Sequence, residues 1–430
     1  MTPTHLHNIA TPGGDNSFRR VLRLIALAAI LLRIAILLFA EVRPAMFDFP
    51  DSHRYVRVAR NIAAGRGPID DASMRSGTDP LYPLMLSAAP LVGINNETGI
   101  MRFGRICNSA LSVASILLLA GIGRRLFGDR VALVAAAILA VDPILNFFNA
   151  LVLTESLYIT LLLAAYYSIL RISDIDADKT SHATRPAAWA LLAGACAGLG
   201  TLSRSTNLFL PLLLAPFVPW AYSRVRTATG IGRFVRHGDT FLIAVLVMLA
   251  PTLIRNYGLY HEIVPTRVGG GASLLEALGT WADGAPGMDR IQYPPVHDAL
   301  DEYQRDREYR EIALSWATDH PKETLQLAFV KLMRTWSIEI NAADYTSPLL
   351  RSICWLSVAP IFALAAVGVW MTRNRPAILA LLLAPALYFT LIHMVFVGSV
   401  RYRLPAMPFL FVLAAVAIDA LIDRRRGTVR

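Results

Sequence analysis

Runs of about 17 to 22 mostly apolar residues recur along the chain, each long enough to cross a hydrocarbon core of about 30 Å. A chain that carries many such runs must satisfy its backbone inside a bilayer, which leaves helices as the spanning element. Composition agrees. Of 430 residues, 55% are hydrophobic and only 17% charged, where a soluble domain carries about a quarter charged. The sequence therefore predicts an all-α polytopic membrane protein.

Ten spanning helices are expected, near 21–40, 103–122, 131–149, 155–172, 187–203, 206–222, 240–256, 352–371, 377–397 and 405–422. The first, Val21–Ala40, is too long for a signal h-region and no small-residue cleavage site follows it, so it reads as a retained helix. Arg33 near its middle must then face protein or water. The net charge of +10 has no soluble basic domain to hold it, which argues against nucleic acid. Instead, Arg19/Arg20, Arg124/Arg125/Arg130, Arg171/Lys179/Arg185, Arg224/Arg226/Arg233/Arg236, Arg373/Arg375 and Arg424–Arg426 fall on every second connection. The positive-inside rule makes those connections and both termini cytoplasmic, in a bacterial inner membrane if arginine- and alanine-rich usage is a guide. Cys107, Cys196 and Cys354 all fall in apolar segments, which suits buried small hydrophobes rather than disulfides or zinc ligands.

This orientation puts two long connections outside, roughly 41–102 and 257–350, and divides the chain into 1–256 with the first loop, 257–350, and the terminal helices 351–430. In the second loop, DEYQRDREYREIALSWATDH and PKETLQLAFVKLMRTW have helical periodicity, whereas GGGASLLEALGTWADGAPG is glycine-rich and reads as mobile. In the first loop, Tyr55, Val58, Ala59, Ile62 and Ala63 form one helix face and Arg54, Arg57 and Arg60 another, ending at Gly65. Such a helix should lie in the membrane interface. Pro80–Gly93 is too short and proline-rich to span, and fits a re-entrant or interfacial element.

Asp51 opens that first-loop helix. It can be an N-cap that accepts backbone N–H bonds, or a base at the water–lipid boundary, where a lipid-borne substrate meets an acceptor; the roles are compatible. Asp48 is a second candidate acid. Glu155 stands where a fourth helix begins, favoured there by the helix dipole or used for substrate binding. Arg204 is either an interfacial anchor or a functional cation. Arg255, Arg401 and Arg403, with Tyr402 between the last two, put positive charge on the side the rule disfavours, and a phosphate is the obvious partner. Histidines 53, 261, 320 and 393 stand apart and read as satisfied or solvent-facing. Asn96-Glu97-Thr98 is a formal glycosylation sequon.

The stretch D-S-x-x-Y-x-x-x-A-x-N-I-A-x-G-x-G from Asp51 to Gly67, followed by PLYPLML from Pro80, resembles the first external loop of membrane glycosyltransferases of the C-type superfold. The likeness is to the bacterial family 39 type, related to protein O-mannosyltransferases and aminoarabinose transferases. Further matches follow in order: TESLY at Thr154, LSRSTN at Leu202, RNYGLYHEIVPTRVGGGASL at Arg255, HPKETLQLAFVKLMRTW at His320 and RYRLPAMP at Arg401. Ser205 departs from the proline that relatives often carry after the arginine.

The resemblance implies transfer of a sugar from a polyprenyl-phosphate carrier to a glycan, lipid or protein acceptor on the outer face, with inversion by direct displacement. It implies Asp51 as base, with Asp48, Tyr55, Tyr82, Glu155, Arg204, Arg255, Arg401, Tyr402 and Arg403 as the substrate-binding set. A divalent cation shared by Asp48, Asp51 and Glu155 is open, since no spacing demands it. Two other readings stand beside the transferase: a lipid or solute transporter, and a non-catalytic subunit of a glycan assembly complex. The transporter reading wants mid-membrane charges and paired broken helices, of which Arg33 and Asp142 are the only hints.

Overall fold

A computed structural model describes residues 12–70, 74–172, 184–223, 231–287, 291, 300–340 and 347–425. No strand occurs among them. In chain order the α-helices are α1 (Pro12–Val42), α2 (Pro50–Ala63), α3 (Leu81–Leu86), α4 (Ala88–Leu91), α5 (Glu97–Phe127), α6 (Asp129–Val141), α7 (Pro143–Ala150), α8 (Glu155–Ile172) and α9 (Thr184–Ser203). They continue as α10 (Leu210–Leu214), α11 (Phe217–Ser223), α12 (Ile231–Tyr260), α13 (Gly270–Ala277), α14 (Glu302–Asp319), α15 (Pro321–Thr335), α16 (Pro348–Thr372), α17 (Pro376–Val395) and α18 (Met407–Arg425). Among the described residues, eight helices are long and apolar enough to span, namely α1, α5, α8, α9, α12, α16, α17 and α18 with the turn before it. The pair α6–α7, bent by 53°, makes a ninth if its two halves are counted as one span. The bend falls at Asp142-Pro143, where proline cannot continue the helix and Asp142 accepts from the N–H of Leu145 (2.8 Å) to start the next.

The expected single helix at 206–222 is instead a 3₁₀ turn (Ser205–Asn207) followed by α10 and α11. Pro211, Pro216 and Pro219 explain the breaks, since each removes a backbone donor and crowds the preceding turn. These pieces still carry the chain across. A Cβ on Gly194 would meet Phe241 O at 2.1 Å, and one on Gly198 would meet Val245 O at 3.0 Å, so α9 and α12 run parallel. Parallel neighbours require the intervening chain to return to the starting face. Small residues at this contact let the backbones touch, as membrane helices favour.

Ion pairs define the two faces. Asp15–Arg124 (3.0 Å) and Arg130–Asp423 (2.6 Å) bring the starts of α1 and α6 and the ends of α5 and α18 together. Glu41–Arg102 (2.6 Å) joins the end of α1 to the start of α5 at the opposite, loop-bearing face. Lys179, Arg224, Arg226 and Arg426 lie outside the described residues. Arg33 is buried in protein, donating to Ser112 Oγ (2.8 Å) and to the carbonyls of Ala29 and Ala140 (both 3.1 Å).

On the loop face, α2 begins at Pro50, two residues earlier than Asp51 would need in order to cap it. Phe49 takes the N-cap place, and Asp51 lies in the first turn with its side chain free for another partner. Gly65 (φ +75°) and Gly67 (φ +84°) then turn the chain through the left-handed region. Arg54 and Arg57 both reach Asp70 (3.5 and 2.9 Å), so these arginines fasten the following loop. Pro80–Gly93 forms the two short helices α3 and α4. Asn96 caps α5 by accepting from Gly99 N–H (2.7 Å). In the second loop α14 and α15 occur as the periodicity predicts, α14 with a capping box between Asp301 and Gln304. The glycine-rich part is more ordered than its composition suggests, forming α13. Glu302 fastens the loops together, one oxygen accepting from the N–H groups of Arg75 and Ser76 (2.8 and 3.0 Å) and from Tyr260 O–H (2.7 Å).

Candidate active site

Four segments far apart in sequence meet on the loop face. Arg401, in the 3₁₀ turn Val400–Ala406 between α17 and α18, donates through Nη1 to Asp51 Oδ2 (3.0 Å) and through Nε to Glu155 Oε1. The same Glu155 oxygen accepts from Arg204 Nη1 (3.0 Å), where α9 ends. The result is a continuous chain of charge, Asp51–Arg401–Glu155–Arg204. Glu155 is fully enclosed, its side chain 1% exposed, and its second oxygen has no partner among the described residues. Asp51 is more open, at 36%.

Aromatic rings wall this chain. Arg401 lies over Phe49 (5.2 Å) and Arg204 over Tyr402 (5.6 Å), each guanidinium facing a π-cloud. Tyr402 in turn stacks on His393 (4.0 Å, 3°), whose Nδ1 is 3.0 Å from Val397 O. Tyr55, one turn along α2 from Asp51, packs edge-on against Tyr82 (5.2 Å).

Burial pushes the Asp51 carboxyl up, but the charge and hydrogen bond of Arg401, with the charges of Arg54 and Arg267, more than offset it. The net effect holds Asp51 below its ordinary value, hence ionised at neutral pH. Burial and the Asp51 charge push the Tyr55 phenol up, so it remains a neutral O–H donor.

Two residues that the sequence does not single out adjoin this cluster. Asp79 accepts from Ser205 N–H (3.0 Å) and lies 3.8 Å from Arg267 Nε, with its other oxygen buried and unpaired among the described residues. Burial raises its carboxyl pKa despite Arg267 and Ser205. Arg267 also donates to Ser205 Oγ (3.2 Å) and contributes charge at Asp51. Both stand beside recognisable motifs, Asp79 before PLYPLML and Arg267 inside RNYGLYHEIVPTRVGGGASL, yet neither motif discloses that they pair.

The remaining candidates lie apart from the charge chain. Asp48 is held by His53 Nε2 (2.7 Å), whose Nδ1 meets Glu97 (2.5 Å). Arg255 serves the loop clamp, donating to Ser76 Oγ (2.9 Å) and Arg75 O (2.6 Å). Tyr82 is buried and takes a hydrogen bond from Asn108 Nδ2 (3.1 Å). Arg403 turns away from the cluster, buried against the backbone carbonyls of Thr335 and Ser337. Asp48, Asp51 and Glu155 do not converge on one point: the Arg401 guanidinium fills the gap between the last two. No three acidic, His or Cys side chains among the described residues gather to hold a cation.

Residues 79–254 match the family described as dolichyl-phosphate-mannose-protein mannosyltransferase. Across nearly the whole chain, the fold is similar to the archaeal oligosaccharyltransferase AglB from Archaeoglobus fulgidus, solved with an inhibitory peptide and a dolichol-phosphate (TM-score 0.57, 14% identity, 97% of this chain, 52% of that chain). The Archaeoglobus fulgidus oligosaccharyltransferase tethered to an acceptor peptide gives TM-score 0.56 at 15% identity, over 95% of this chain and 50% of that one. This chain has the C-type glycosyltransferase fold. It spans about half the length of those oligosaccharyltransferases. ArnT from Cupriavidus metallidurans bound to undecaprenyl phosphate is a weaker likeness, with TM-score 0.39 and 14% identity over 93% of this chain and 78% of that chain. No curated protein matches in sequence. Within the C-type fold the charge chain lies at the loop face, between the first loop and the short link before α18.

Proposed function

We propose that this protein transfers a sugar from a polyprenyl-phosphate carrier to an acceptor at the loop face, which we take, from the positive charge on the other face, as the outer side of the membrane. The observation that carries this reading is the chain Asp51–Arg401–Glu155–Arg204, which brings an ionised carboxylate and two arginines to a membrane boundary. The matched family is described by its dolichyl-phosphate-mannose donor, and the similar oligosaccharyltransferase was solved with a dolichol-phosphate.

The acceptor's O–H or N–H gives its proton to Asp51 Oδ as its lone pair attacks the anomeric carbon. The bond from that carbon to the carrier phosphate breaks with inversion, and its electron pair leaves on the phosphate. Arg401 spends Nε and Nη1 on the two acids and keeps Nη2 for the phosphate, with Arg204 sharing Glu155 and Arg267 adding positive charge at Asp51. Donors fixed where charge develops supply much of the rate in such a site. As Arg401 shifts towards the phosphate, Asp51 loses its counter-charge and becomes the stronger base at the moment of transfer.

Purified protein in lipid nanodiscs, offered polyprenyl-phosphate hexoses and pentoses, should release free polyprenyl phosphate in step with a glycosylated acceptor. Movement of the intact carrier across vesicles with no release would favour transport instead.

A further inference from the structure

The second-loop helix α15 presents an apolar stripe on its outer side. Leu325, Phe329 and Met333 recur every fourth residue and are 72%, 61% and 58% exposed, while Lys331 and Thr335 on the opposite side are buried. In a helix above the membrane such a stripe would face water.

The lower end of α15 is sunk between spanning helices. Trp336 donates to Thr390 Oγ1 (2.8 Å) and packs against Phe362 (5.8 Å between rings). At 1.5 Å per residue, Thr390 lies about 7 Å inside the end of α17 at Val395, and Phe362 about 20 Å inside the start of α16 at Pro348. The last carbonyls of a helix at that depth have no water to bind. Buried Arg403 supplies donors to Thr335 O (3.2 Å) and Ser337 O. Lys331, wholly buried, does the same for the end of α17 through Val395 O (2.9 Å). The contact is close: a Cβ on Gly398 would meet Lys331 O at 2.5 Å. Leu387, Leu391 and Val395, all more than half exposed, lie on α17, the spanning helix that Lys331 ties to α15.

We propose that α15 is a membrane-inserted half-helix whose Leu325–Phe329–Met333 stripe contacts lipid acyl chains, with Arg403 as its buried carboxyl-terminal cap. The packing of its end among the spanning helices α16 and α17, at Thr390 and Phe362, favours the bilayer over a soluble partner. Because α15 also packs on the turn that holds Arg401, the bilayer would brace the candidate site from one side.

The test uses full-length protein in phosphatidylcholine nanodiscs, with Cys107, Cys196 and Cys354 replaced by alanine and a nitroxide placed singly at 325, 329 or 333. Collision with oxygen should exceed collision with a water-soluble nickel chelate, and the ratio should rise several-fold from 325 to 333. A label at Leu314 of α14 should show the reverse preference. Ready access of nickel to 329 and 333, or protection from both reagents under a protein partner, would overturn the proposal. Should the cysteine-free protein misfold, unsubstituted protein in vesicles containing a photoactivatable acyl lipid decides the matter. Adducts on α15 are expected, and their absence while α17 is labelled would count against it.

Discussion

The pairing of Glu155 with Arg401 makes a quantitative demand. Glu155 is enclosed, and one oxygen serves two guanidinium groups. Replacing Arg401 by methionine leaves that carboxylate with Arg204 alone, at 3.0 Å. Breaking a buried ion pair costs about 3–5 kcal/mol, and the surviving arginine sets the expectation near the lower limit, about 3. Glu155→Gln removes the charge both arginines share and should cost about 2–3 kcal/mol. The double variant loses the same pair once, so the two losses should not add. A coupling of about 2 kcal/mol is expected, within the span for residues in one charged network. Reversible unfolding in mixed detergent micelles, followed by circular dichroism for all four proteins, measures it. Losses that add to within about 0.5 kcal/mol would mean that the two side chains do not form a pair, and the charge chain would lose its centre.

Three further outcomes follow from individual contacts. Asp51 has a folded pKa below its ordinary value of 3.8, so the stability it contributes is present above that value and lost as pH falls through the lower folded one. Acid unfolding of wild type and Asp51→Asn should therefore converge below about pH 4 and separate above it. His53 is the opposite case. The bond to Glu97 raises its pKa above 6.5, reinforced by Asp48 against burial, so its contribution is complete below 6.5 and fades as pH rises through the higher folded value. Amide protection factors at the start of α2, corrected for intrinsic exchange, should fall over that alkaline step, and His53→Ala should remove the step. Two glycines should respond with opposite sign. Gly194→Ala forces a Cβ to within 2.1 Å of Phe241 O and should cost about 1–3 kcal/mol. Gly258→Ala, in open space within α12, should gain roughly 0.5–1 kcal/mol. Unfolding midpoints of the two variants check both signs.

Much of the spanning architecture could be read from apolar run length, because lipid thickness fixes how many residues a helix needs. The 206–222 segment misled that reading, since hydropathy ignores what Pro211, Pro216 and Pro219 do to helical hydrogen bonds. The first-loop helix was legible to within two residues, but the N-cap was not: Pro50 starts it, which frees Asp51 to reach Arg401. Glu155, Arg204 and Arg401 announced themselves as charges beside apolar runs, while their partners, up to 350 positions apart, did not. The sequence favours Arg401 over Arg403 in RYR for the phosphate role, and the turn aims Arg401 at the acids and Arg403 at the end of α15. Asp79 and Arg267 went unmarked because either charge is ordinary by itself.

The most direct test of the transferase account is the rate of sugar transfer by Asp51→Asn protein under single-turnover conditions, with carrier binding measured alongside. Loss of a general base predicts a fall of about 10²–10⁴-fold in the transfer step, with carrier binding retained through the arginines. Transfer at the wild-type rate would contradict the account.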